Sequence, residues 1–247
     1  MTARLLQHYG IDVRTEPLHD HNEAGRVPAL LARLQAGARM ALVSDAGTPL
    51  VSDPGYRLVR AAIEAGVAVS AVPGPNAAVM ALVLSGLPPQ PFLFLGFPPP
   101  RQAARVAAFG TLRAAERAGL SATLVWHEAP HRLAETLADL AGTFGDRPAA
   151  VARELTKRFE EVRRATLPEL AAWYAATAAR GEITVVVGPP AEGDDSEDLD
   201  GLLRRALAIG SVKDAASVVA GATGLPRKVV YARALALSAE LGDEGAP

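Results

Sequence analysis

The sequence predicts an α/β protein built from two α/β domains and a small C-terminal helical extension. Short apolar runs of strand length alternate with longer segments in which apolar residues recur at helical spacing. Several of these runs end in loops rich in glycine and proline. The repeated order of strand, loop, helix and strand is typical of βαβ units with a parallel sheet. A length of 247 residues suits one or two domains.

The first domain is predicted at residues 1–97. Its strand at 40–43 is apolar and runs into polar residues that begin with Ser44, as a buried strand does when it enters a loop. Asn76 belongs to the residue types that cap helices, which predicts a helix beginning at Ala77. The predicted helices are 3–9, 27–34, 55–65 and 77–84, and the predicted strands are 40–43, 67–72 and 92–97.

The remainder is predicted to contain a junction with a basic helix (98–121), a second α/β domain (122–190), an acidic linker (191–200) and a helical module (201–247). The linker is assigned because its acidic run lacks apolar periodicity. Strands are predicted at 122–126, 149–153 and 183–187, and helices at 105–117, 133–143, 168–179, 202–208, 212–222 and 228–240.

The composition excludes several classes of site and protein. Cysteine is absent, which removes disulfides, thiolate zinc sites, iron–sulfur clusters and thiol nucleophiles. A net charge of −2 argues against a strongly basic nucleic-acid coat protein. No uncharged apolar run reaches about 18 residues, and the N-terminus lacks the apolar core of a signal peptide. A cytoplasmic enzyme is therefore the default expectation.

Two loops are candidate ligand sites because each follows a predicted strand. In open parallel sheets, ligands bind outside the carboxyl ends of the strands. The loop at 44–49 has Gly47, where the backbone can approach a ligand closely, and the loop at 73–77 opens a helix. Ordinary turns use the same residue types, so that alternative stays open at this point.

Motifs for several other chemistries are missing. The sequence has neither a phosphate-binding loop of the Gly-x-x-x-x-Gly-Lys type nor a Gly-x-Gly-x-x-Gly fingerprint. Its histidines do not have metal-ligand spacing, and no Gly-x-Ser-x-Gly elbow is present. We therefore expect no metal, and we expect most of the chemistry to come from a bound cofactor.

Several long motifs now carry a resemblance to a known family. Residues 44–55, SDAGTPLVSDPG, resemble the hallmark stretch of the ribosomal small-subunit RNA methyltransferase I family, in the tetrapyrrole-methylase (class III S-adenosylmethionine-dependent) superfamily. Further matches follow in family order at 21–23 (HNE), 73–77 (PGPNA), 96–97 (GF), 128–132 (EAPHR), 152–157 (ARELTK) and 181–182 (GE), and the helical tail resembles the family's C-terminal extension.

The resemblance implies a fold and an activity. It implies two α/β domains of tetrapyrrole-methylase type that hold S-adenosyl-L-methionine in a cleft between them, and a homodimer. It implies methyl transfer to the ribose 2′-oxygen of a cytidine in the decoding centre of 16S rRNA, in the small ribosomal subunit. The implied cofactor-binding residues are Asp45, Ala46, Gly47, Thr48, Pro49, Val51, Pro73, Gly74, Asn76 and Ala77.

Catalysis and RNA binding require further residues. A ribose hydroxyl is a poor nucleophile, so a nearby proton acceptor is expected to accelerate the reaction about a hundred- to ten-thousand-fold. The candidates are Glu128, His131, Glu154 and Lys157. Ordinary ion pairs, such as one between Glu128 and Arg132, remain the alternative. Phosphate contacts need cations, and the RNA-binding candidates are Arg101, Arg105, Arg132, Arg153 and Arg158.

The chain also departs from the family pattern. Family members have further strands and a helix ahead of the segment that matches residues 3–11, so we expect a truncated N-terminus with exposed sheet edges. Asn76 and Ala129 each stand where the family usually has serine, and Leu95 where an acidic residue is common. Two other functions remain open: a methylase of tetrapyrrole precursors, and an inactive cofactor-binding or ribosome-associated homologue.

Overall fold

The computed structural model describes residues 2–191, 194–223 and 225–243, without the side chains of 194–198 and 241–243. The chain divides into two compact units, unit 1 at 1–80 and unit 2 at 81–247. Among the residues that the structure describes, no helix is long and apolar enough to cross a membrane.

Unit 1 is built from helices and irregular segments. Helices α1 (Thr2–His8), α2 (Asp20–Gln35) and α3 (Tyr56–Glu64) lie in it, and α4 (Ala77–Ser85) begins there. All four were predicted, but α2 begins seven residues before the predicted start. The first turns of α2 are polar, so they show no apolar periodicity by which a helix could be predicted. The Asn22 side chain accepts a hydrogen bond from His19 N (2.9 Å) and so fixes the start of the helix.

The strands predicted at 40–43 and 67–72 are wrong, because the described part of unit 1 contains no strand. An extended segment becomes a strand only when a neighbour pairs with its N–H and C=O groups. The described residues of unit 1 supply no such neighbour. Several apolar side chains of these segments are accordingly exposed, from 47% at Val69 to 93% at Val72.

Unit 2 contains a five-stranded sheet. The strands are β1 (Phe92–Phe94), β2 (Thr123–Glu128), β3 (Pro148–Arg153), β4 (Glu161–Thr166) and β5 (Ile183–Val187). Their spatial order is β1-β2-β5-β3-β4. The mixed α/β class is confirmed, but only β1 and β2 form the predicted parallel pair, since the other neighbours are antiparallel.

Three helices cover one face of this sheet. They are α5 (Gln102–Arg117), α6 (Leu133–Phe144) and α7 (Leu167–Ala176). The side chains of Phe109, Leu137 and Leu170 pack with those of Trp126 and Val185 in one buried cluster. Burial of such a side chain stabilises the fold by about 1.5–3 kcal/mol. The sheet is therefore a rigid base for the loops at its ends.

The C-terminal module consists of α8 (Asp194–Leu207), α9 (Val212–Thr223) and α10 (Arg227–Asp243). Leu203, Ala216, Val230 and Leu237 are fully buried in its separate core. The acidic linker predicted at 191–200 is helical from Asp194 onward, and residues 192–193 lie outside the described residues.

The predicted domain bounds stay a prediction. The strand predicted at 92–97 to close the first domain corresponds to β1, which pairs with β2 in the sheet of unit 2.

Candidate functional site

The two loops expected to bind a cofactor meet within unit 1. The Thr48 hydroxyl donates a hydrogen bond to the carbonyl of Pro75 (3.0 Å). Gly47 has φ of 71°, a conformation that favours glycine, and a Cβ there would be 3.9 Å from the same carbonyl. Gly74 has no other atom within 4 Å of an added Cβ. Both glycines therefore leave backbone uncovered where the loops adjoin.

The rest of the first loop is fixed by its own polar groups. Asp45 accepts hydrogen bonds from the hydroxyl (2.8 Å) and the backbone N–H (3.2 Å) of Thr2, which lower the pKa of its carboxyl group. Ser44 Oγ lies 2.5 Å from a carboxylate oxygen of Asp53. Leu50 and Ser52 have positive φ (72° and 62°), so the loop is strained between these contacts.

The remaining predicted cofactor residues lie on these loops as expected. Asn76 Oδ1 accepts a hydrogen bond from Val79 N (3.1 Å), so Asn76 caps α4 as predicted. Val51 N donates to the carbonyl of Thr48 (3.3 Å), which closes a turn. Ala46 and Pro49 belong to the first loop, and Pro73 and Ala77 to the second.

Sequence reasoning missed the part that Glu23 plays beneath the first loop. This buried residue of α2 accepts hydrogen bonds from Arg57 N (2.8 Å) and Leu58 N (3.2 Å), so its carboxylate satisfies the start of α3. Gly55 precedes α3 with φ of 124°, and a Cβ there would lie 2.4 Å from the side chain of Leu42. Glu23 was noted only within a motif; no local pattern reveals its distant partner.

The catalytic candidates lie together at one edge of the sheet in unit 2. Glu128 ends β2 and Arg153 ends β3, and both are paired with Ile183 at the start of β5. Neighbouring strands are about 4.8 Å apart, so these two positions are about 10 Å apart. His131 follows β2 and is exposed, while Glu154 and Lys157 follow β3. The two pairs of candidates therefore flank the start of β5.

Glu128 has no free hydrogen-bonding capacity at this edge. It is 2% exposed and accepts hydrogen bonds from Ala129 N (2.7 Å) and the Thr136 hydroxyl (2.5 Å). Arg132 lies 3.3 Å from it and also donates to the carbonyl of Pro98 (2.8 Å). These contacts fix the turn into α6. They make Glu128 and Arg132 positioning residues and do not fit their predicted roles in proton transfer and RNA binding.

Glu154 and Lys157 form a second charged cluster, which is open to solvent. Glu154 accepts hydrogen bonds from Glu182 N (3.0 Å) and from Lys157 Nζ (3.0 Å), and these lower the pKa of Glu154. Hydrogen bonding to Glu154 raises the pKa of Lys157, whose Nζ also lies 3.2 Å from a carboxylate oxygen of Glu182. The cluster therefore presents a cation that stays charged near neutral pH.

The loop that carries this cluster depends on two backbone features. Glu154 and Thr156 adopt positive φ (50° and 65°), which is uncommon for residues with side chains. Gly181 has φ of 82°, and a Cβ there would lie 2.3 Å from Glu154 Oε1. A glycine at 181 is thus what lets Glu154 reach Glu182. The sequence showed Gly181 only as part of a motif.

The predicted RNA-binding arginines differ in their accessibility. Arg101 is exposed, and the exposed Arg158 lies over the ring of Phe159, 5.5 Å from its centroid. Arg153 pairs with Glu161 (2.7 Å). Arg105 is fully buried and pairs with Asp139 (2.6 Å), so this prediction does not fit the structure: its charge is used inside the fold.

Among the residues that the structure describes, no group of three or more histidine, cysteine, aspartate or glutamate side chains lies close enough together to hold a metal ion. His127 lies edge-on to Phe94 with 4.9 Å between ring centroids, and its Nδ1 is 3.1 Å from the Thr184 hydroxyl oxygen.

Comparison with protein families gives two matches. Residues 3–171 match the family described as Tetrapyrrole (Corrin/Porphyrin) Methylases. Residues 193–238 match a family described as the RsmI C-terminal HTH domain.

Curated relatives match across nearly the whole chain. A ribosomal RNA small subunit methyltransferase I from Mesorhizobium japonicum is 46% identical over 97% of this chain and 81% of its own length. A protein of the same name from Mycobacterium tuberculosis is 46% identical over 95% of this chain and 81% of its own length. Another, from Escherichia coli O157:H7, is 42% identical over 95% of this chain and 82% of its own length.

Solved structures show weaker likeness. The methyltransferase CobJ is 20% identical with a TM-score of 0.48, over 68% of this chain and 71% of that one. Uroporphyrin-III C-methyltransferase from Thermus thermophilus, complexed with S-adenosyl homocysteine, is 21% identical with a TM-score of 0.45. The match covers 68% of this chain and 73% of that one.

Proposed function

This chain belongs to the tetrapyrrole (corrin/porphyrin) methylase family, and on that premise we propose that it is an rRNA methyltransferase that uses S-adenosylmethionine. Its substrate is the ribose 2′-hydroxyl of a cytidine in the decoding centre of 16S rRNA. The observation that carries this proposal is the 42–46% identity to the three named small-subunit rRNA methyltransferases over 95–97% of the chain. The reaction belongs to the cytoplasm, where small subunits assemble, and the enzyme acts as a homodimer.

The loops of unit 1 fit the cofactor. S-adenosylmethionine, when bound, supplies a methyl group activated by a sulfonium, so the protein mainly positions the reactants and excludes water. The uncovered backbone at Gly47 and Gly74 offers hydrogen-bonding groups at close range. The Asp45 carboxylate, with its lowered pKa, is an anion at neutral pH and suits the amino group or ribose hydroxyls of the ligand. Thr48 holds the two loops in register.

The sheet edge of unit 2 supplies the groups that handle the RNA hydroxyl. A lysine ammonium has three N–H donors, and Lys157 directs two of them at Glu154 and Glu182. The third is available to a ribose oxygen or a neighbouring phosphate, since the Lys157 side chain is 42% exposed. His131, exposed after β2, is the proposed acceptor of the hydroxyl proton. Arg101 and Arg158 provide exposed cations for the RNA backbone.

Methyl transfer to rRNA tests the proposal directly. The enzyme is incubated with S-adenosylmethionine carrying a labelled methyl group and, in separate reactions, with small ribosomal subunits lacking the modification, naked 16S rRNA lacking it, or a tetrapyrrole precursor. The expected result is label on one cytidine, retained on the ribose after the base is removed. Label on a base would refute the 2′-oxygen assignment, and label on a tetrapyrrole precursor alone would refute the RNA substrate.

Calorimetry with S-adenosylmethionine separates binding from chemistry. The expected result is saturable binding that Asp45→Ala weakens while Asp12→Ala does not. Asp12 is a matched control because it is an exposed aspartate elsewhere in unit 1. Absence of binding by the intact chain would contradict the cofactor assignment and favour an inactive homologue.

A further inference from the structure

A hollow of about 340 Å³ lies on the surface of the C-terminal module, between α9 and α10. Its lining is Lys213 from the first turn of α9, and Arg227, Lys228 and Tyr231 from the first turns of α10. None of these residues belongs to the site described above. Three of the four are cations, and the fourth is an aromatic side chain that is 41% exposed.

The three cations have no acidic partner in the described part of the chain. Arg233, one turn further along α10, shows the contrast: its guanidinium pairs with Asp200 (2.7 Å from Nε) and lies 3.5 Å from Glu240. Asp214, next to Lys213 in the sequence, instead lies 2.6 Å from the hydroxyl oxygen of Ser211. Like charges that converge without counter-charges repel, and an anion in the hollow relieves that repulsion.

The packing of α10 holds these side chains in place. Val230, Ala234 and Leu237 are fully buried in the module's core, which fixes the rotation of the helix. Arg227 and Tyr231 are four residues apart and therefore lie on the same side of it. The start of a helix also presents N–H groups that favour an anion. The helix positions from which the cations and the ring extend are thus fixed before any ligand arrives.

We propose that this hollow binds the sugar-phosphate backbone of the RNA substrate, with the Tyr231 ring against a base. Cations beside an exposed aromatic ring are the combination by which proteins bind single-stranded nucleic acid, through phosphate contacts and base stacking. An acidic protein surface would engage the cations but has no base to stack on the ring. This inference rests on the proposed function, and it adds an RNA contact remote from the chemistry.

The experiment compares two double variants of the full-length chain. Arg227→Gln/Lys228→Gln removes two charges from the hollow, and Arg204→Gln/Arg205→Gln removes two exposed charges from α8 of the same module. Filter binding to 16S rRNA is measured between 50 and 200 mM salt, a range over which phosphate contacts change affinity strongly. The first variant is expected to flatten the slope of log affinity against log salt by roughly 1 to 2. The second is expected to leave the slope as in the wild type.

Tyrosine variants test the stacking contact. Loss of a stacked base weakens binding about 5- to 150-fold, so Tyr231→Ala is expected to reduce RNA affinity within that range, and Tyr231→Phe to retain it. Because Tyr231 is not one of the residues proposed to bind the cofactor or the reacting hydroxyl, its loss is expected to raise KM for RNA and to leave kcat at saturating RNA unchanged. Far-ultraviolet circular dichroism confirms that each variant is folded.

The outcomes distinguish this inference from the proposed function. Equal slopes for the two double variants overturn the hollow as an RNA site. So does weaker binding to small subunits with unchanged binding to naked rRNA, which would identify a protein partner. If no substrate is methylated but the slope changes as expected, the proposed function fails and the RNA contact stands.

Discussion

Gly181→Ala is the substitution that most directly probes the sheet edge of unit 2 that we propose for catalysis. The added Cβ would lie 2.3 Å from Glu154 Oε1 and 2.4 Å from its Cδ, whereas ordinary contacts begin at 3.4 Å. Glu154 must therefore retreat by about 1 Å, which stretches its 3.0 Å hydrogen bonds to Glu182 N and Lys157 Nζ beyond hydrogen-bonding range. Lys157 then loses one of the two carboxylate contacts that orient its ammonium.

The expected effect has two parts. A displacement of about 1 Å in a positioned group costs roughly 100-fold in rate, so kcat/KM for methyl transfer to RNA should fall by about that factor. The positive φ at residue 181 separately costs an alanine about 1–2 kcal/mol of unfolding free energy. Steady-state kinetics and urea denaturation measure the two parts independently.

Gly119→Ala is the matched control. Gly119 also has a positive φ (104°), but an added Cβ meets no atom within 4 Å, so only the conformational cost applies. Its unfolding free energy should fall by a similar amount while kcat/KM stays near the wild-type value. Wild-type kcat/KM in Gly181→Ala, or an equal loss of activity in Gly119→Ala, would refute the reasoning.

Three other predictions follow from the buried and exposed charges. Glu23→Gln should lower the unfolding free energy by about 1–3 kcal/mol in urea denaturation, because it weakens two buried hydrogen bonds at the start of α3; no loss would contradict that capping role. Arg105→Met leaves Asp139 buried without its partner and should cost about 3–5 kcal/mol, with RNA affinity in filter binding unchanged when the assay is run below the melting temperature. The pKa of Glu154 is lower in the folded state than in the unfolded state. Its contribution to the free energy of unfolding is therefore complete at a pH above the unfolded-state pKa and is lost as the pH falls through the folded-state pKa. The stability difference between wild type and Glu154→Gln should therefore shrink on acidification, and a difference that grows would contradict it.

Local sequence patterns predicted the buried elements well. The strand predicted at 183–187 has the same bounds as β5, because all five residues are buried and four of them are apolar. β4 was missed because its sequence, EVRRAT, is half charged and its burial is only partial. Arginine suits an edge strand, but no local pattern separates such a strand from a loop. The relative orientation of the strands could not be predicted either, because the antiparallel insertion of β5 between β2 and β3 depends on long-range pairing.

The candidate site residues also differ in whether local sequence patterns could predict them. The loops at 44–49 and 73–77 and the cluster after β3 were predictable because glycine, proline and charged residues concentrate there. Glu23 and Gly181 were not, because each acts on a partner 27 or more positions away in the sequence, and only the folded structure brings them together. Arg105 was misassigned because charge alone does not tell a solvated arginine from one buried against Asp139.

Burial and hydrogen-bond capacity together decide which charged residues at the sheet edge can meet a substrate. Glu128 has both carboxylate oxygens occupied and is 2% exposed, so a ribose hydroxyl would have to displace Thr136 or Ala129 N to reach it. Lys157 retains one donor and is 42% exposed. Because two carboxylates already hold the Lys157 ammonium in place, its remaining N–H donor has a fixed direction and is free to bind a substrate oxygen. We therefore propose that Glu128 fixes the backbone at this edge and that Lys157 contacts RNA.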